Sequence, residues 1–527
     1  MYDILLKNGL IVDGTGEKAY QADLAVENGK IAAISPAIDP GLAKETVDVS
    51  GLVVAPGFID MHSHSDLSFL RDDRGEAKLY QGVTSELVGQ CGYSPYPCPP
   101  GKEDVIEAFG RTAVGNFAAC SLEAYVNGAA KRGSKMGTNL LPLIGHGTLR
   151  CGFAGYENRA VTDSEMKGMR ALLREQMAFG AWGLSLGLGY TPGVSADEEE
   201  LCLLGEEVAP FDGIVTSHMR NQNVNTLKSL QEMYAIGRHS GVKIHIAHFK
   251  AGSEAVYGRM PEFLNDLRQA AASGLRATSD VYPYTAASSN ITNSFPKWSI
   301  RGGTRHAVEL LQAKGPEHDK LMTELEESLA RRAADSIVIV STFGALPDAD
   351  GKSIQQCAAL WNVSPAEAAG RIAVATNAQA TAISFCMDEK DVEYMLSQPD
   401  VSIGSDGYAL SFDPALNDGK PHPRSFGTFV RFLKLAREKQ LCSLETAVNR
   451  ITGLTAGRIG LTDRGLLREG LVADVTVFDW NTVADTATYQ EPFQKPIGVH
   501  HVLMDGRFAI KNGVQTADRL GKILLKK

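Results

Sequence analysis

No stretch of the sequence approaches the about 18 consecutive apolar residues that a membrane span requires. There is no block of five basic residues, and Asp plus Glu (62) outnumber Lys plus Arg (52). The resulting net charge of −10 disfavours a nucleic acid or an anionic membrane as partner. Cysteine is sparse: eight thiols lie scattered over 527 residues without a CxxC pair, so no disulfide framework is expected. The first residues, from Met1 to Gly14, lack the basic head, apolar middle and small-residue cleavage site of a secretory signal. These absences predict a cytoplasmic protein in which a cysteine that matters binds metal or is simply buried. At 44% hydrophobic and 22% charged residues, the chain is far from the disordered regime.

What is present divides the chain into two textures. Residues 1 to about 55 read as β-structure: Asp3–Gly9 and Leu10–Gly14, then Ala22–Val26 and Lys30–Ile34 joined by a Glu27-Asn28-Gly29 hairpin signal. The C-terminal end repeats this pattern in Ala473–Asp479, His501–Met504 and Arg507–Ile510. Each β segment is too small for its own core, so one sheet domain built from both termini, 1–55 plus 465–527, is predicted. Between them, over 56–464, short apolar strands alternate with amphipathic helices. The candidate strands are Gly57–His62, Val83–Gly89, Asn139–Gly145, Gly183–Leu186, Ile214–His218, Lys243–His248, Arg276–Tyr282 and Val401–Asp406. Repeated strand–helix units imply a parallel sheet, and eight of them an α/β fold of the (β/α)₈, TIM-like barrel type. The connection over about 286–400 is too long for one unit and reads as an inserted lid segment.

In such a barrel, catalytic groups project from the C-terminal strand ends. The ends here carry His62 and His64, then Cys91, His218, His248 and Asp406. Each alone is weak. An HxH pair often hydrogen-bonds at a surface, an isolated Cys is more often a small core residue, and Gly-Ser-Asp-Gly reads as a turn. Four imidazoles, a thiol and a carboxylate in that strand order are a zinc-type ligand set.

That pattern resembles the amidohydrolase superfamily, nearly end to end, from the Ile4-Leu5-Leu6-Lys7-Asn8-Gly9 start through Pro56–His64 to Leu466–Asp479 and Phe508. Many members hold a carboxylated Lys between two metals, and no candidate for it is evident. Cys91, within Val88-Gly89-Gln90-Cys91-Gly92, is similar instead to the N-acyl-D-amino-acid deacylase (D-aminoacylase) branch. So are Gly145–Arg150, Gly183–Leu188, Ser217–Arg220, Asp280–Tyr284 and His422-Pro423-Arg424 with Phe426–Phe429. The resemblance implies that Cys91, His218 and His248 hold a tight zinc, and that His62, His64 and Asp406 define a second, weaker site that Cys91 would bridge. It implies hydrolysis of an N-acyl-D-amino acid to a carboxylate and a free D-amino acid, with Asp406 as general base and acid. It implies that Lys250, Tyr282, Ser288 and Arg424 grip the substrate's α-carboxylate.

Strand alternation places Lys250 on the face of His248, and places His245 on the opposite face, packing outward. Lys297, Trp298 and Arg301 in the insertion are candidates to line the side-chain pocket, a cation favouring acidic side chains and Trp298 apolar ones, and the sequence leaves open which group points inward. His146 and Arg150 are expected to shape the site or support it. Two other readings remain at this point: a cyclic-amide hydrolase of the hydantoinase or dihydropyrimidinase kind, and a non-catalytic barrel scaffold. Oligomeric state is not readable from the sequence.

Overall fold

The computed structural model describes residues 1–114, 118–131, 136–300 and 303–527. The N-terminal strands are β1 (Tyr2–Ile11), β2 (Tyr20–Glu27), β3 (Lys30–Ser35), β4 (Ala43–Asp48) and β5 (Val53–Pro56). The sequence predicts a turn at Asn8-Gly9. Instead the chain runs through as one strand with a bulge between Leu6 and Gly9, and Asn8 takes up the extra residue at φ 62°. The hairpin between β2 and β3 forms as expected, with Asn28 and Gly29 both at positive φ.

Seven parallel strands follow: β6 (Phe58–Asp60), β7 (Val83–Val88), β8 (Asn139–Gly145), β9 (Gly183–Gly187), β10 (Ile214–His218), β11 (Lys243–Ile246) and β12 (Ala277–Val281). The insertion intervenes with β13 (Ala286–Asn290), β14 (Ile337–Ser341) and β15 (Thr381–Phe385), and β16 (Ser402–Ile403) is the eighth barrel strand. Neighbours pair in chain order from β6 to β12, and β16 lies beside β12. The first and last strands join through backbone bonds just beyond their ends: Asp406 donates to the His62 carbonyl at 2.8 Å and His64 to the Gly407 carbonyl at 2.9 Å. The sheet therefore closes into the predicted barrel. Strands such as β7 and β8 are buried along their whole length, which is why they read as apolar runs rather than alternating ones. The eighth strand is shorter than expected because Gly404, Ser405 and Asp406 leave the sheet to meet the end of β6.

The connecting helices bury one apolar stripe each. The helix Asp163–Phe179 starts on a capping box, with the Thr162 hydroxyl accepting from the Glu165 backbone and the Glu165 side chain returning to Thr162. The insertion forms its own three-stranded antiparallel sheet in the order β13-β15-β14. Helices Thr304–Gln312, Pro316–Arg332, Ile354–Trp361 and Pro365–Ala375 accompany this sheet. It has a core of its own around Leu321, Leu325, Ile337, Ile354 and Ile372.

The chain returns to the N-terminal sheet through β17 (Val475–Phe478), β18 (Val499–Met504), β19 (Arg507–Lys511) and β20 (Val514–Gln515). β17 pairs antiparallel with β5, so strands from both ends of the chain make one nine-stranded sheet. The last residues cross the N-terminal mouth of the barrel. Leu524 donates to the Leu140 carbonyl at 2.8 Å, and the Trp182 indole donates to the Leu524 carbonyl at 2.6 Å.

Candidate metal centre

All six ligand-type side chains meet at the C-terminal mouth of the barrel. They form two sets, His62, His64, Cys91 and Asp406, and Cys91, His218 and His248, and within each set the ligand atoms lie within 4.8 Å of one another. Cys91 belongs to both. Its Sγ is 3.4 Å from His62 Nε2, 3.5 Å from His248 Nε2 and 3.9 Å from His218 Nδ1. His218 Nδ1 and His248 Nε2 are 3.0 Å apart. Ligands at ordinary zinc bond lengths in a tetrahedron are separated by about 3.4 Å (N to N) and about 3.6 Å (N to S). The three residues thus fit a zinc ion by spacing as well as by donor type.

The backbone that delivers these groups is unusual. Cys91, His248 and Asp406 all stand at positive φ, 55°, 37° and 50°, a conformation costly for residues with a Cβ. Each lies just past a strand end, so the chain swings its side chain inward over the mouth. Two glycines make the Cys91 turn feasible. A Cβ on Gly89 would stand 2.3 Å from the Leu143 carbonyl oxygen, and one on Gly187 would stand 2.1 Å from the Cys91 carbonyl oxygen.

Electrostatics suit metal ligation. Burial pushes the Cys91 thiol up, but the His62 imidazole, itself raised well above its ordinary value, together with hydrogen bonds from His218 and His248, outweighs it and holds the thiol well below its ordinary value. Burial, with Lys250 nearby, pushes His248 down to about 4, and burial also lowers His218, which keeps both neutral at pH 7. For Asp406 burial acts upward, and the Arg424 guanidinium, helped by the hydrogen bond from His64, overcomes it, so the carboxyl sits well below the usual range. Asp406 Oδ1 is 3.1 Å from His64 Nε2 and 3.4 Å from His62 Nε2.

The other predicted residues surround this cluster. Arg424 opens the helix Arg424–Glu438, and its Nη1 pairs with Asp406 Oδ2 at 2.7 Å without the angles of a hydrogen bond. Lys250 Nζ curls back to His248, 2.9 Å from Nδ1 and 3.0 Å from its carbonyl oxygen. Strand alternation does not bring it there, since β11 ends at Ile246 and the positive φ of His248 breaks the parity. The Tyr282 ring lies under both cations, 5.3 Å from Arg424 and 5.4 Å from Lys250, and its buried hydroxyl has no partner. Ser288, on β13, lines a cavity of about 540 Å³ between the barrel mouth and the insertion sheet, with Arg424, Leu67, Tyr408, Val340 and Phe343.

Other expectations change. Trp298 packs inside the insertion, its indole donating to Glu324 at 2.7 Å, and does not line this cavity. Lys297 is exposed, and Arg301 lies outside the described residues. His146 and Arg150 are fully buried and share Glu200, at 2.8 and 3.0 Å, a bracing role. His245 does not pack outward. It is fully buried and holds Asp280 at 2.8 Å, and Asp280 in turn accepts the His248 backbone N–H at 2.8 Å. Burial alone would raise Asp280, but the hydrogen bond from His245 and the nearby His62 imidazole, 3.7 Å away, keep it ionised. Within the Asp280–Tyr284 match, a carboxylate near a strand end is the one sequence signal for this role.

Lys78 carried no such signal. It is fully buried under the site, with Nζ 2.6 Å from Asp60 Oδ2, 2.7 Å from Ser405 Oγ and 3.2 Å from Glu86 Oε2. Asp60 Oδ1 accepts the backbone N–H groups of His62 and Ser405. One ammonium thus ties the His62 strand end to the Asp406 loop. Lys78→Met leaves two buried carboxylates without their cation and should cost about 3–5 kcal/mol. A urea midpoint equal to wild type would refute that role.

A closed eight-stranded barrel with imidazole, thiol and carboxylate groups that could hold a metal at its C-terminal mouth is the arrangement of a metal-dependent hydrolase. Residues 45–510 match the model of the amidohydrolase family, and the chain belongs to that family. It is 34% identical to a D-aminoacylase of Alcaligenes xylosoxydans xylosoxydans, over 100% of this chain and 98% of that one. An N-acyl-D-glutamate deacylase of the same organism is 33% identical, over 99% and 96%. The crystal structure of N-acyl-D-glutamate deacylase from Bordetella bronchiseptica, complexed with zinc and a phosphonate mimic of the tetrahedral intermediate, superposes with a TM-score of 0.84. It is 33% identical to this chain, with both chains covered completely.

Proposed function

We propose that this chain is a zinc-dependent N-acyl-D-amino-acid deacylase, cleaving a linear amide to a carboxylate and a free D-amino acid. The observation that carries the reading is Cys91, one thiol shared by two ligand sets beside an Asp406–Arg424 pair. The full-length likeness to deacylases of D-amino acids supports it. Cys91, His218 and His248 would hold the tighter ion, and His62, His64 and Asp406 a weaker one. When bound, zinc acidifies water and polarises the amide carbonyl.

The protein's own groups do the rest. Asp406 is ionised and buried at the mouth, so it takes a proton from the attacking water and delivers it to the leaving nitrogen. Water thereby supplies OH to the acyl carbon and H to the amine. Arg424, Lys250 and the unpartnered Tyr282 hydroxyl receive the α-carboxylate, with Ser288 across the cavity. A carboxylate that draws Arg424 from Asp406 also relaxes the field that keeps Asp406 weakly basic, so binding sharpens the base. Lys250→Ala should raise KM about 10–100-fold, the worth of one charge-assisted contact, with zinc content unchanged. An unaltered KM would remove Lys250 from the clamp.

The cyclic-amide reading fares worse, because a thiol stands where that chemistry would use a carboxylated lysine. Of the two lysines near the site, Lys78 is buried against Asp60, and the half-buried Lys250 lies against His248. The deciding experiment is a hydrolysis screen of N-acetyl and N-formyl D- and L-amino acids beside hydantoins, with zinc measured on the same preparation. Turnover of D-substrates by zinc-loaded protein is expected. Turnover of hydantoins alone would overturn the proposal. No helix among the described residues is long and apolar enough to cross a membrane.

A further inference from the structure

His248 is approached from both sides. Its Nε2 faces Cys91 and His218, at 3.5 and 3.0 Å, so that nitrogen must offer a lone pair to a metal. A neutral imidazole carries one proton, which then sits on Nδ1 and needs an acceptor. Two side chains reach Nδ1: the Gln222 amide nitrogen at 3.3 Å and the Lys250 ammonium at 2.9 Å. Both are donors. Meanwhile Gln222 Oε1 is buried with no hydrogen-bond partner. Half a turn about the last bond of Gln222 exchanges the two amide ends, brings Oε1 to Nδ1 and removes the orphaned acceptor. The backbone holds Gln222 in place for this, since its carbonyl accepts the Gly252 N–H at 2.6 Å.

We propose that Gln222 is a positioning residue whose side-chain oxygen accepts the Nδ1 proton of His248, fixing the tautomer that presents Nε2 to zinc and leaving Lys250 for the substrate carboxylate. The inference rests on the proposed metal role of His248. Sequence offered no hint of it, because a glutamine four residues beyond His218 has no motif of its own.

The test is a zinc competition titration against a chromophoric chelator, on purified full-length protein. Gln222→Met, which fills the space but accepts nothing, should weaken zinc binding about 10–100-fold, as loss of a partner behind a ligating histidine does. Gln222→Glu, which can only accept, should bind zinc as wild type does. Wild-type affinity in Gln222→Met, or a loss in Gln222→Glu, overturns the inference. Should Gln222→Met not fold, Gln222→Glu decides alone, since a donor role would make it lose zinc. His248→Ala separates the two layers. If it binds zinc as wild type does, the ligand assignment itself fails. If it loses zinc while Gln222→Met keeps it, only the tautomer lock fails.

Discussion

Asp406→Asn is expected to lower kcat by about 10²–10⁴-fold, the span that a general acid–base contributes, while zinc stays on Cys91, His218 and His248. Asparagine keeps the shape of the side chain but cannot take up and return a proton. The variant also leaves Arg424 buried without its carboxylate, so a modest fall in melting temperature should accompany the loss of rate. The two effects separate on measurement. A folding defect would lower active-site concentration and leave the rate per zinc-loaded molecule intact, whereas loss of the base lowers that rate itself. Near-wild-type turnover per bound zinc would remove Asp406 from proton transfer.

Cys91→Ala should weaken zinc binding more than about 100-fold, beyond the loss of any residue that merely supports a ligand, and activity should vanish with it. Serine should not rescue, because its hydroxyl does not ionise among these neighbours as the thiol does. Cys91 occupies φ 55°, so a purely structural reading holds that any residue content with that backbone would serve. Glycine is that residue. Cys91→Gly relieves the strain and removes the sulfur. If it binds zinc like wild type, the thiol is not a ligand. If it fails as alanine does, strain is not the explanation.

The barrel was legible because strands buried on both faces leave unmistakable apolar runs, and because ligands at strand ends come in a fixed order. Alternation was the rule that failed. It holds within a strand, and His248 and Asp406 lie past theirs at positive φ, where parity no longer says which way a side chain points. His245, expected to face outward, is the buried partner of Asp280 for that reason. The Arg424–Asp406 pair is hidden in the sequence as well, since nothing in the spacing joins the two residues. Lys78 looked like an ordinary helical lysine, because its surroundings come from three distant segments. Trp298 has an aromatic's apparent fitness for a pocket, yet it lies half-buried against the core of the insertion.

The sheet shared by the two ends of the chain bears on how the molecule is made. Ile34 on β3 donates to the Glu469 side chain, 435 positions later, and β5 waits for β17 as its antiparallel neighbour. During vectorial synthesis the amino-terminal hairpin leaves the ribosome with the apolar face of Leu24, Val26 and Ile31 uncovered, and stays so while the whole barrel is translated. Such delayed long-range pairing slows maturation and exposes the nascent chain to self-association.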